Sequence, residues 1–106
     1  MLFAALLKAK GATPRERMAR RLQWQHPEGI RPVAEYWLLS SEVTVVTIVE
    51  ADSVQPIMAV TVQWADVFDI TVVPAMTGDE GLQWAQQMTQ QQGQQQQGQQ
   101  DNAPAG

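Results

Sequence analysis

Residues 43–74, VTVVTIVEADSVQPIMAVTVQWADVFDITVVP, decide the fold. Val43 to Val49 is rich in β-branched residues, which pack well on a pleated surface, so it reads as a strand. Asp52 and Ser53 are good N-caps for a helix over 54–65, and Pro56 is tolerable because its missing amide falls in the first turn. Val67 to Val73 is a second β-branched run, closed by Pro74. The helix between them is apolar around most of its circumference: only Gln55, Pro56 and Gln63 are clearly polar. It has more apolar surface than one sheet covers.

Working outward, Leu2 to Lys8 is a short apolar run ending in a turn at Gly11, and it reads as a strand buried on both faces. Pro14 occupies a first helical position behind Thr13 as N-cap, and this helix is expected to run to Gln25 before Pro27 stops it. At 100° per residue Met18, Ala19 and Leu22 share one side, while Arg17, Arg20, Arg21 and Trp24 share the other. A further strand is expected over 33–39, with Val33, Glu35, Trp37 and Leu39 on one face, joined through Ser40, Ser41 and Glu42 to the strand at 43–49 as a hairpin. Thr77 and Glu80 have capping-box spacing, so a last helix begins there and carries Leu82, Trp84, Ala85 and Met88.

The order strand, helix, strand, strand, helix, strand is the split βαβ arrangement: an α+β, ferredoxin-like βαββαβ domain over residues 1–85 with an added C-terminal helix. Strands one and three lie in the middle of a four-stranded antiparallel sheet with two helices on one face. From residue 86 to 106 the chain is nearly all glutamine with glycines, which cannot bury enough apolar surface to offset ordering, so a flexible tail is expected. The second sheet face is also apolar, because Leu2, Ala4 and Leu6 alternate with Phe3, Ala5 and Leu7. A homodimer with facing sheets, or a higher oligomer, would cover it.

The 106 residues, 44% apolar and 17% charged, suffice for one compact domain and exclude a multidomain enzyme. Without cysteine there is no disulfide framework, thiolate metal site or cysteine nucleophile. The opening apolar run is too short to span a bilayer, and its lysines follow it, unlike a signal peptide, so a soluble, cytoplasmic protein without membrane contact is expected. Net charge is −4, yet residues 8–21 set six cations against Glu16. A chain acidic overall makes a poor nucleic-acid binder; a contact between the basic helix and a larger protein partner fits better.

Short motifs then carry a resemblance: Pro27-Glu28-Gly29-Ile30, Glu50-Ala51-Asp52, Trp64-Ala65-Asp66, and Val72-Val73-Pro74 followed by Asp79 and Glu80. In that order, over about residues 1–85, they resemble a small bacterial family known as domain of unknown function 3303. The Arg-rich first helix and glutamine tail depart from the family pattern. That family is similar to the dimeric α/β-barrel superfamily, which includes isomerases, monooxygenases and haem-handling enzymes. The resemblance implies two sheets closing around a cavity and no particular chemistry.

His26 is the single histidine and the natural general base near neutral pH. Glu35 and Asp69 each interrupt an apolar strand and are expected on one sheet face with Trp37, Thr47 and Thr71, lining the cavity. Such a carboxylate pair could do acid/base work, or could instead pair with nearby cations. Arg17 and Arg21 lie within reach of the Trp24 ring, so a cation–π cluster or a contact with a second chain is expected, and Arg17, Arg20, Arg21 and Trp24 are the expected interaction surface. No metal-ligand spacing, phosphate loop or nucleophile triad is visible, and no cofactor is expected. The leading reading is a homodimeric binding or assembly module for a larger protein; the alternative is a small-molecule-binding enzyme with its ligand in a sheet-lined cavity. An open cavity with converging polar groups would favour the second.

Overall fold

A computed structural model of the chain describes residues 1–95. Two units are distinguished, Met1–Ala75 and Met76–Gly106. The first holds β1 (Leu2–Ala9), α1 (Pro14–Gln23), β2 (Ile30–Trp37), β3 (Val45–Ala51), α2 (Gln55–Trp64) and β4 (Phe68–Ala75). The strands form one antiparallel sheet in the order β2-β3-β1-β4, so strands one and three are central, as the sequence order requires. This is the ferredoxin-like βαββαβ arrangement.

Register fixes which residues share a face. Trp37, Val45, Leu7 and Ile70 form one row across the sheet, and Glu35, Thr47, Ala5 and Val72 the next. Both rows lie on the side covered by the helices, where the buried cores cluster around Phe3, Val49 and Ile57 and around Trp64, Val67 and Phe68. The opposite face carries Leu2, Ala4, Leu6, Ala34, Tyr36, Val46, Ile48 and Val73, so both faces are apolar.

Several boundaries differ from expectation for identifiable reasons. β2 begins at Ile30, because Gly29 adopts φ +95° and turns the chain after Pro27, whose carbonyl accepts from Ile30 N (3.3 Å). A register shift between Pro32 and Ala34 takes Val33 out of the ladder and returns Glu35 to the same face as Ile30. Leu39 lies beyond the strand, fully exposed in the β2–β3 loop. β4 continues through Pro74, which an edge strand tolerates because no further strand needs its amide. Neither Asp52 nor Ser53 caps α2: its N-cap is Val54, without a side-chain cap bond, and Asp52 instead accepts from Arg31 (3.3 Å).

Thr13 does cap α1, its hydroxyl accepting from Glu16 N at 3.1 Å. The orientation of α1 is the main correction. Met18 is 46% exposed and Leu22 85% exposed, while the arginine side faces the domain.

In the second unit, α3 (Gly78–Gln95) opens with the expected capping box: Thr77 N donates to Glu80 Oε1 (2.9 Å) and Glu80 N to Thr77 Oγ1 (3.0 Å). The helix extends into the glutamine-rich stretch, and residues 96–106 of the expected tail lie outside the described residues.

Candidate functional site

Between the helices and the sheet is a half-open cavity of about 660 Å³. Its floor is the two rows just described, Leu7, Val45 and Ile70 together with Ala5, Thr47 and Val72. Ile57, Val60 and Trp64 of α2 form one wall, and Arg17, Met18 and Arg21 of α1 the other. Trp24 and His26, from the segment after α1, and Trp37 at the end of β2 complete it, with Leu38 and Leu39 at the loop. A cavity of this size, apolar with a few polar groups, is the usual form of a small-molecule site.

The polar groups gather around Glu35. Arg21 grips its carboxylate with two hydrogen bonds, Nε to Oε2 (3.2 Å) and Nη2 to Oε1 (3.0 Å), and Trp37 Nε1 donates to Oε2 (2.7 Å). This forked pairing suits the planar guanidinium. Burial pushes the Glu35 carboxyl up, but the bonds from Arg21 and Trp37 and the positive charge around it outweigh burial and hold it below the usual range. Glu35 is therefore a fixed anion rather than a proton donor near neutral pH.

His26 stands beside this pair, its ring edge-on to Trp24 with centroids 4.7 Å apart. Burial lowers its pKa first, the Arg21 charge lowers it further, and Glu35 offsets only part of this. The imidazole is thus neutral at pH 7, with one nitrogen able to accept a proton.

The other α1 arginines also work internally. Arg20 pairs with Asp66 (2.9 Å), reaches the Gln63 carbonyl and stacks 4.6 Å over the Trp64 ring. Arg17 donates through Nη1 to the carbonyls of Gly11 (2.6 Å) and Ala12 (2.9 Å) and lies 5.9 Å from the Phe68 centroid. Trp24 donates to Gln63 Oε1 (2.7 Å) and packs edge-on to Trp64 (5.7 Å). Arg17, Arg20, Arg21 and Trp24 thus fasten α1 to the domain, with Arg21 5.4 Å from the centroid of the Trp24 ring.

Of the expected cavity residues, His26, Glu35, Trp37 and Thr47 are brought together, on the helix side of the sheet rather than between two sheets. Asp69 and Thr71 are not with them. They alternate with Phe68, Ile70 and Val72, so they project from the other side of β4, where Asp69 pairs with Lys10 (3.1 Å). The register explains this: Asp69 lies opposite Lys8, an odd number of residues from the Ala5 that shares a row with Glu35. The role of Arg17 and Arg21 in the cavity wall escaped sequence reading. The available signal was a lone glutamate in an apolar strand facing a helix whose long side chains on one side are arginines.

Among the described residues, no group of three or more His, Asp or Glu is placed to hold a metal ion, and no helix is long and apolar enough to cross a membrane.

The fold and the cavity define a small α+β protein with a sheet-floored apolar pocket. Residues 1–89 match the family described as Domain of unknown function (DUF3303), and the chain belongs to it. No curated protein and no solved structure matches the chain.

Proposed function

We propose that this protein binds a small, largely apolar molecule in the cavity between its helices and its sheet. The observation that carries this reading is the 660 Å³ space floored by Ala5, Thr47 and Leu7, with Arg21, Glu35 and His26 converging at one side. Trp37 and Leu39 do not pack it shut: they are 56% and 108% exposed. The neutral His26 could accept a proton there, whereas Glu35, held ionised by Arg21 and Trp37, has none to donate. The test is amide and indole NMR of the full chain titrated with naphthalene-sized aromatics. Shifts at Ala5, Thr47 and the Trp37 indole support the reading, and no shift at millimolar probe overturns it.

The same reading includes a homodimer through the other sheet face, where Leu6, Val46 and Ile48 would meet their copies. Burying several hundred Å² of apolar surface at roughly 25 cal/mol per Å² supports such a contact. Leu6→Asp should then halve the mass seen by light scattering, and a wild-type monomer at high concentration would remove this part.

A second reading, docking onto a larger protein, is favoured by the outward Leu22, Met58 and Val62 rather than by the arginines. Native mass spectrometry of protein from its source should then lose a stoichiometric partner in the Leu22→Ser, Val62→Ser double variant. Unchanged spectra would remove it.

A further inference from the structure

The charges around the cavity do not cancel. Arg21 is neutralised by the forked pair with Glu35, and Arg20 is neutralised outside by Asp66. Arg17 also lines the cavity, one helical turn before Arg21, and among the described residues no carboxylate pairs with it. Its two hydrogen bonds both use Nη1, to the carbonyls of Gly11 and Ala12, which leaves the donors of Nη2 and Nε. The guanidinium carbon sits 5.9 Å from the centroid of Phe68, and that ring also faces the cavity. Arg17 therefore lines the cavity with its guanidinium beside an aromatic ring that lines it too.

A second observation agrees in sign. His26, on the same cavity, is influenced by the positive Arg21 more than by the negative Glu35, so the paired charges do not make its surroundings negative. Arg17 then adds a whole positive charge to a space that is otherwise apolar. Such a wall disfavours a cation, gives a neutral molecule no charge to match, and rewards one negative charge.

Resting on the cavity being a ligand site, we infer that its ligand is an apolar monocarboxylate, with its body over Ala5, Leu7 and Ile70 and its carboxylate received by Arg17. Arg17 offers a planar cation with unused parallel donors, the geometry that carboxylates match. The aromatic residues of the wall, Trp24, Trp37, Trp64 and Phe68, suit a flat or ring-bearing body. One carboxylate balances the wall, whereas a second would be buried without a partner.

The matched probes are 2-naphthoate and 2-naphthamide, equal in shape and different in charge, titrated into the full-length protein by calorimetry at low and high salt. The carboxylate should bind at least about tenfold more tightly, the factor supplied by one charge-assisted hydrogen bond, with the gap narrowing at high salt. Arg17→Gln should abolish the gap between the two probes, and Arg17→Lys should keep only part of it, because an ammonium supplies the charge without the fork. Because Arg17 also braces the Gly11–Ala12 turn, circular dichroism and a cooperative thermal melt check that each variant is folded. Equal affinities for the two probes in the wild type, or a gap that survives Arg17→Gln, overturn the inference and leave the cavity reading standing. If neither probe binds, the cavity reading itself falls, and the inference with it.

Discussion

α1 and α2 are both ten residues long and lie on the same side of one sheet, yet they are held by opposite means. α2 has no side-chain cap and buries Ile57 and Trp64, which are 7% and 5% exposed. Both have a proline in the first turn, but α1 adds a capping threonine and basic residues in its last turn, and it buries none of its residues. Each of its inward arginines instead lies over an aromatic ring: Arg17 over Phe68, Arg20 over Trp64 and Arg21 over Trp24. A helix with strong local signals forms with little help from the core, so its docking can be left to long cationic side chains. A helix without such signals must be fixed by apolar burial.

The comparison breaks most visibly at Trp64. This side chain joins the core around Val67 and Phe68, supports the Trp24 ring and receives the Arg20 stack. Trp64→Ala should cost about 3–5 kcal/mol by urea denaturation, a large share of the stability of a domain this small. It should release α1 as well, since two of that helix's attachments end on this residue. A loss below about 1 kcal/mol would show that α2 is not anchored by its core residues.

The next effect is electrostatic. Arg21→Met leaves the half-buried Glu35 with only the Trp37 indole as a donor, and an under-satisfied carboxylate costs about 1–3 kcal/mol. The pH dependence follows from the direction of each shift. Glu35 titrates below its ordinary 4.5 in the folded chain, so its stabilisation is complete above that value and is lost as pH falls through the folded one. His26 titrates below its ordinary 6.5, so it too favours folding above 6.5 and costs stability as pH drops into its folded range. Removing Arg21 raises both folded values. Thermal melts should therefore show the largest gap between wild type and variant near pH 7, shrinking below pH 4.5; a gap that grows on acidification would contradict the pairing.

Much of this architecture is legible from residues alone. Thr13 and Pro14 announce α1, Thr77 and Glu80 announce α3, and the order of elements dictates the central strands. What fails is phase. The bulge at Val33 and the start of β2 at Ile30 involve a single residue out of the ladder and a glycine with positive φ, and neither leaves a periodic trace. The site divides in the same way: His26, Glu35, Trp37 and Thr47 can be picked out by residue type, but which of them share a face with Asp69 depends on register. The contact of Arg21 with Glu35 joins two residues 14 positions apart on different elements, beyond any helical or strand spacing.

The smallest effect is the sharpest test of how α1 is seated. A helical wheel draws two sides on this segment, and the ordinary expectation turns Met18 and Leu22 toward the core. That expectation holds in one direction only, because apolar side chains are common on surfaces and arginine stems cover apolar ground well. With Leu22 85% exposed, Leu22→Gln should change stability by less than about 0.5 kcal/mol, and glutamine keeps most of the helix propensity of leucine. Arg20→Ala, on the opposite side, should lower the urea midpoint measurably at low salt and less at high salt, since its link to Asp66 is exposed and screened. If instead Leu22→Gln is the damaging change and Arg20→Ala the silent one, α1 is turned the other way, and Arg17 and Arg21 leave the cavity wall.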